Sequence, residues 1–79
     1  MEPERSFGNV LREVRRQRGL SQEALALEAG VERNYVSLLE LGKNSASIRV
    51  LFKLCAVLRL SPSAFMGRVE KRIEAAQRT

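Results

Sequence analysis

Four interruptions in the sequence restrict this chain of 79 residues to short helices. Three are glycines, Gly19, Gly30 and Gly42, which can adopt the left-handed conformation that ends a helix. The fourth is the pair Ser61-Pro62, in which serine suits a helix cap and proline suits the first turn. The sequence therefore predicts one all-α domain, residues 1–79, made of five short helical segments.

Three of these segments carry an apolar stripe with the period of a helix. The first, over about 6–18, places apolar residues at Phe7, Val10, Leu11 and Val14. The fourth follows a polar loop whose Ser45 or Ser47 can cap it, and its stripe comprises Ile48, Leu51, Leu54, Cys55 and Leu58. The fifth, over about 62–77, has a stripe of Phe65, Met66, Val69, Ile73 and Ala76.

The second and third segments are two short helices joined by a turn. The second begins at the capping residue Ser21 and stops at Gly30, and the third begins near Glu32 and stops at Gly42. Val31, Val36 and Leu39 can hold the third helix against the core. Two helices in this arrangement form a helix-turn-helix, here over about 21–42, whose second helix enters the DNA major groove.

The charge balance favours an anionic partner. The chain has 14 Lys and Arg against 9 Asp and Glu, a net charge of +5, which suits nucleic acid, although solubility alone is the alternative explanation. With no histidine and a single cysteine, a zinc site or a histidine-dependent nucleophile is excluded, and we expect neither metal nor cofactor. The acids Glu23, Glu28 and Glu32 form no catalytic constellation, so the chain is not expected to be an enzyme.

The location in the cell follows from what the sequence lacks. Cys55 cannot form a disulfide framework, and it lies in an apolar run where a buried thiol is expected. The first residues have no apolar core of a signal peptide, and no run reaches the length of a membrane span. We therefore expect a cytoplasmic protein.

Residues 11–62 resemble the Cro/repressor-type (XRE) helix-turn-helix family, through the motifs "RRQRGLSQEALA" and "YVSLLELGK" and the apolar helix before Leu60. The resemblance implies a five-helix, phage-repressor-like fold and a transcriptional regulator that binds double-stranded DNA. Arg15 and Glu40 match the positions of an ion pair that joins the first and third helices in this family. The whole chain, with a short arm before the first helix, also resembles the controller proteins of restriction-modification systems, which implies a dimeric autoregulator.

The third helix carries the candidate base contacts Arg33, Asn34 and Ser37. The fork of Arg33 suits guanine O6 and N7, and the amide of Asn34 suits adenine N6 and N7. The alternatives are a phosphate-bound or solvated Arg33 and a local hydrogen bond for Asn34. Leu38 could meet a thymine methyl group or pack against a neighbouring helix, and Leu41 has no assigned role.

Candidate contacts to the DNA backbone lie on both sides of the third helix and at its surface. They are Gln22, Tyr35, Lys43, Asn44, Ser45 and Ser47. The resemblance implies a phosphate clamp at Gln22, where a helix N-terminus also favours an anion. Tyr35 has one hydroxyl for a phosphate, with packing at the domain edge as its alternative.

The fifth helix is the candidate dimerisation helix. Its stripe is longer than a small core can cover, so Phe65, Met66, Val69 and Ile73 are expected at a homodimer interface, helped by the end of the fourth helix. The alternative is that the stripe folds back on the core. A homodimer would bind a palindromic operator, and a regulator that activates would also contact RNA polymerase. The other functions left open are the antitoxin of a toxin-antitoxin pair and a helical protein-interaction module without nucleic acid.

Overall fold

The computed structural model describes residues 2–78, which form five helices. They are α1 Pro3–Gln17, α2 Gln22–Ala29, α3 Arg33–Glu40, α4 Ile48–Leu58 and α5 Pro62–Gln77. The predicted all-α, five-helix fold is confirmed. No single helix within residues 2–78 is long and apolar enough to cross a membrane; only α4 and α5, taken together as a span bent by 101°, have the length and composition.

Three helices begin at a serine whose hydroxyl accepts a hydrogen bond from the amide three residues on. The distances are 3.0 Å at Ser21, 3.2 Å at Ser47 and 3.1 Å at Ser61. Each bond satisfies an amide that has no partner inside its helix, which is why these helices start where they do. Of the two serines proposed to cap α4, Ser47 is therefore the cap.

The first helix begins earlier than the sequence predicted. The residues expected to form an arm are helical from Pro3 onward, because proline at the first helical position loses no hydrogen bond and has the required φ. Glu4 lies in the first turn, where a negative charge favours the helix N-terminus. Ser6, in the second turn, is fully buried. The first turn of α1 is thus part of the packed domain.

The core lies between all five helices. Its buried apolar residues are Val10, Leu11, Val14, Leu25, Ala26, Ala29, Val36, Leu39, Leu54, Cys55, Leu58, Phe65 and Val69. Burial raises the pKa of the Cys55 thiol. The largest of these side chains, Phe65, lies against Phe7 of α1, with ring centroids 5.0 Å apart.

The assignment of Phe65 and Val69 to a dimer interface was wrong. Their side chains are only 1% and 2% exposed within the single chain, because α5 folds back along α1. The two helices are further joined by Arg72 and Glu13, 3.0 Å apart. Met66, which is 40% exposed, and the half-buried Ile73 remain accessible on α5.

Gly8 allows α1 and α3 to approach closely. A β-carbon at this position would lie 2.7 Å from the carbonyl oxygen of Glu40 and would also overlap that of Leu39. Both atoms belong to backbone, which cannot rotate away as a side chain can. The absence of a side chain at Gly8 therefore sets the distance between α1 and the end of α3.

Candidate nucleic-acid interface

The first turn of α3 presents Arg33 and Asn34 to solvent. Glu32 precedes them as the N-cap in an extended conformation, and its side chain makes no capping hydrogen bond. In the same helix, Val36 and Leu39 are completely buried. The helix is thus anchored by its apolar side, and the two side chains with base-reading chemistry are exposed at its N-terminal end.

The remaining polar and apolar side chains of α3 are less accessible. Ser37, in the next turn, is half-buried, and so is Leu38. Leu41 caps the end of the helix and is 57% exposed. Gly42 follows with a φ of 75°, a left-handed conformation that directs the chain into the loop before α4.

Three hydroxyl groups predicted to bind phosphates are engaged within the protein. The Tyr35 hydroxyl donates to the backbone oxygen of Ser45 at 3.1 Å, and the Ser45 hydroxyl donates to Glu4 Oε2 at 3.1 Å. The Ser47 hydroxyl accepts the capping bond of α4. Lys43 and Asn44 are exposed between α3 and Ser45. Lys43 and Asn44 thus present uncommitted polar ends, and the Ser47 hydroxyl, which only accepts in the cap, still has its proton to donate.

A buried ion pair joins α1 and α3 behind the candidate interface. Arg15 Nε donates to Glu40 Oε2 at 2.6 Å and Arg15 Nη2 donates to Glu40 Oε1 at 3.0 Å. The hydrogen bond to Glu40 raises the pKa of Arg15. Arg15 Nη1 also donates to the Leu20 backbone oxygen at 2.8 Å, so the same guanidinium fixes the turn before α2.

Gln22 completes this network. Its side-chain nitrogen donates to Glu40 Oε1 at 3.0 Å, which holds the start of α2 against the end of α3. The first amides of α2 have no partner inside the helix. Ser21 caps one of them, the Ala24 amide, with its side chain. An anion at this position would therefore meet backbone donors, while the Gln22 side chain is oriented by Glu40.

Arg18 has a structural contact that its place in the sequence did not indicate. Its Nε donates to the Leu58 backbone oxygen at 2.8 Å. That contact satisfies a carbonyl at the end of α4, where Arg59 adopts a left-handed φ of 57°. No helical period could have revealed it, because the two residues are far apart in the chain.

A second surface feature is an apolar groove of about 870 Å³ on the side of α4 and α5, called here the α4–α5 groove. Its apolar lining includes Phe7, Ile48, Leu51, Met66 and Ile73. Ile48 is 77% exposed, and Phe52, one turn further along α4, is 58% exposed. Three of the five large apolar side chains that are exposed among residues 2–78 thus lie in or beside this groove.

Comparison with known proteins gives one consistent assignment. A family model described as helix-turn-helix matches residues 11–65. The control protein C.MunI of a Mycoplasma species is 36% identical over 66 residues, which cover 82% of this chain and 89% of the relative.

Two solved structures are also similar. The restriction-modification controller protein C.AhdI of Aeromonas hydrophila is 39% identical, with a TM-score of 0.77 and coverage of 78% of this chain and 94% of that one. The clp gene regulator ClgR of Corynebacterium glutamicum has a TM-score of 0.89 at 26% identity, covering 99% of this chain and 85% of that one.

Proposed function

Since the chain belongs to the helix-turn-helix (XRE) family of DNA-binding transcriptional regulators, we propose that it acts as a homodimer on a palindromic operator, as the controller protein of a restriction-modification system. The family regulates transcription and is not enzymatic, in agreement with the expectation from the sequence. The observation that carries the proposal is the exposed pair Arg33 and Asn34 at the start of an otherwise anchored helix.

Base recognition is assigned to the first turn of α3. The Arg33 guanidinium can donate two hydrogen bonds to guanine O6 and N7, a contact that contributes roughly 1–3 kcal/mol of discrimination. Asn34 can donate to N7 and accept from N6 of adenine. Ser37 lies one turn further along the same side of α3 and contributes a smaller contact.

Backbone binding is assigned to the two loops beside α3. Lys43 and Asn44 are exposed and reach the phosphates with their side chains. The Ser47 hydroxyl can donate its proton to a phosphate, whereas Ser45, whose hydroxyl is bound to Glu4, contributes through its backbone amide. The free amides at the start of α2 bind a second phosphate beside Gln22. Tyr35 contributes its hydroxyl only if the bond to Ser45 is exchanged for one to phosphate.

The dimer interface is assigned to the α4–α5 groove. Its principal residues are the exposed Ile48, Phe52 and Met66, and not Phe65 and Val69, which are buried in the core. Ile73 lies at the edge of this interface, as predicted from the sequence. A second copy supplies an identical apolar surface, as a two-fold interface requires. Such a dimer would hold two α3 helices about 34 Å apart, the separation of successive major grooves.

The controller role rests on C.MunI and C.AhdI, because each is at least one third identical to this chain and similar in length. ClgR supports a second candidate, a regulator of genes outside a restriction-modification system, since it has the same fold. The genes that flank the coding sequence separate the two candidates. A neighbouring methyltransferase and endonuclease would support the controller role, and their absence would support the second candidate.

DNA binding itself is tested by selecting duplexes from a random-sequence library with the wild-type protein. We expect enrichment of a palindromic sequence. The affinity of the protein for this duplex should fall steeply between about 50 and 200 mM salt, because phosphate contacts release counterions. Failure to enrich any sequence, or an affinity that does not change with salt, would refute the proposal.

A further inference from the structure

The loop between α3 and α4, residues 41–47 and called here the α3–α4 loop, is held by three contacts. At its start, Gly42 lies so close to α1 that a β-carbon there would be 3.0 Å from the Arg5 α-carbon. In its middle, Ser45 donates its hydroxyl to Glu4 and accepts the Tyr35 hydroxyl at its backbone oxygen, both at 3.1 Å. The loop is therefore fixed between the first turn of α1 and α3.

Glu4 is the unusual member of this arrangement. It places a negative charge against a loop that carries Lys43 and Asn44 and that is proposed to face DNA phosphates. On charge alone, a carboxylate beside a phosphate weakens binding, and removing it should strengthen binding. If Glu4 nevertheless favours DNA binding, it does so through the hydrogen bond that it accepts from the Ser45 hydroxyl.

We infer that Glu4 is a positioning residue for DNA binding: by accepting the Ser45 hydroxyl, it holds the α3–α4 loop in the conformation that contacts the DNA backbone. This inference rests on the proposed function. A loop that is already ordered in the free protein loses less conformational entropy when it meets the phosphate, so binding is tighter. The contact involves no base, so Glu4 acts on affinity for all sequences rather than on sequence preference.

Two substitutions of Glu4 separate its charge from its hydrogen bond. Glu4→Ala removes both, whereas Glu4→Gln removes the charge but keeps an oxygen that can accept from Ser45. We expect Glu4→Ala to weaken binding to the selected duplex by about three-fold to ten-fold, the usual effect of losing one hydrogen bond. Glu4→Gln is expected to bind at least as tightly as the wild type. The matched control is Glu28→Ala, which removes the same charge from an exposed position on α2.

Two further measurements identify the loop as the cause. Backbone order parameters of Lys43 to Ser45 should fall in Glu4→Ala and stay at wild-type values in Glu4→Gln. Ser45→Ala should weaken binding by itself but add nothing in the Glu4→Ala background, because both changes remove the same bond. Sedimentation of every variant is measured alongside, because Glu4 and Ser45 both line the α4–α5 groove as well.

Binding by Glu4→Ala that equals or exceeds that of the wild type would overturn the inference, as would additive effects of Glu4→Ala and Ser45→Ala. A weaker dimer in Glu4→Ala that accounts for the whole loss of affinity would also overturn it. Each of these outcomes leaves the proposed function standing, provided that the wild type binds DNA. If the wild type selects no duplex, the proposed function itself fails.

Discussion

Replacing Gly8 with alanine tests whether the backbone contact between α1 and α3 sets the position of α3. Alanine is favoured over glycine within a helix by about 1 kcal/mol, so an exposed site would gain stability. At Gly8, however, the new methyl group would meet the carbonyl oxygens of Leu39 and Glu40, the latter at 2.7 Å. Overpacking of this kind costs about 1–3 kcal/mol. The cost at Gly8 should lie at the upper end of this range, because the neighbouring atoms belong to backbone and cannot rotate away.

The two terms combine to a loss of about 2 kcal/mol in the free energy of unfolding. For a domain of this size, that loss lowers the Tm by about 8–16 °C. Urea denaturation followed by circular dichroism measures the change, and titrations at two protein concentrations separate folding from dimer association. The control is Gly67→Ala, since a β-carbon there meets nothing within 4 Å and no positive φ is required. Because Gly67 lines the α4–α5 groove, both variants are compared at a protein concentration low enough for the chain to be monomeric. A Gly8→Ala variant as stable as the wild type would refute the reasoning.

Three other predictions follow from the same structure. Glu40→Ala should lower the free energy of unfolding by about 3 kcal/mol, because it leaves the Arg15 guanidinium buried without its partner, and an unchanged urea midpoint would contradict this. Ile48→Glu should shift the sedimentation coefficient to that of a monomer while circular dichroism stays native, whereas Val69→Glu should unfold the chain; an unaltered Ile48→Glu dimer would place the interface elsewhere. The Cys55 thiol should react with a disulfide reagent only at the rate of unfolding, because burial raises its pKa and blocks access, and fast labelling under native conditions would disprove that burial.

Local signals in the sequence were sufficient to find the helices. Ser21 and Ser61 are followed by helical periods, and the glycines after α2 and α3 adopt the left-handed conformations expected of them. The early start of α1 was missed, although a proline followed by an acid is itself a signal for a helix start. No apolar period begins at Pro3, so the helical period alone does not indicate this start.

Contacts between residues that are far apart in the sequence could not be predicted from helical periods and caps. The stripe of α5 looked too long for a small core, yet Phe65 and Val69 are covered by α1, and a period cannot show which helix covers a stripe. The partners of Ser45 and Tyr35 depend on how the α3–α4 loop returns to α1. The resemblance to a known family, rather than any period, suggested that Arg15 and Glu40 lie side by side.

The central claim, that the first turn of α3 reads the operator, is tested most directly by the sequence preference of Arg33 variants. Binding of the duplex selected by the wild type is compared with that of a scrambled duplex in gel-shift titrations. Arg33→Ala and Arg33→Lys should both lose about ten-fold or more of the preference, since neither keeps the guanidinium fork, while Arg33→Lys keeps its salt-dependent affinity for the scrambled duplex. A wild-type ratio between the two duplexes in both variants, with the fold intact by circular dichroism, would contradict the account.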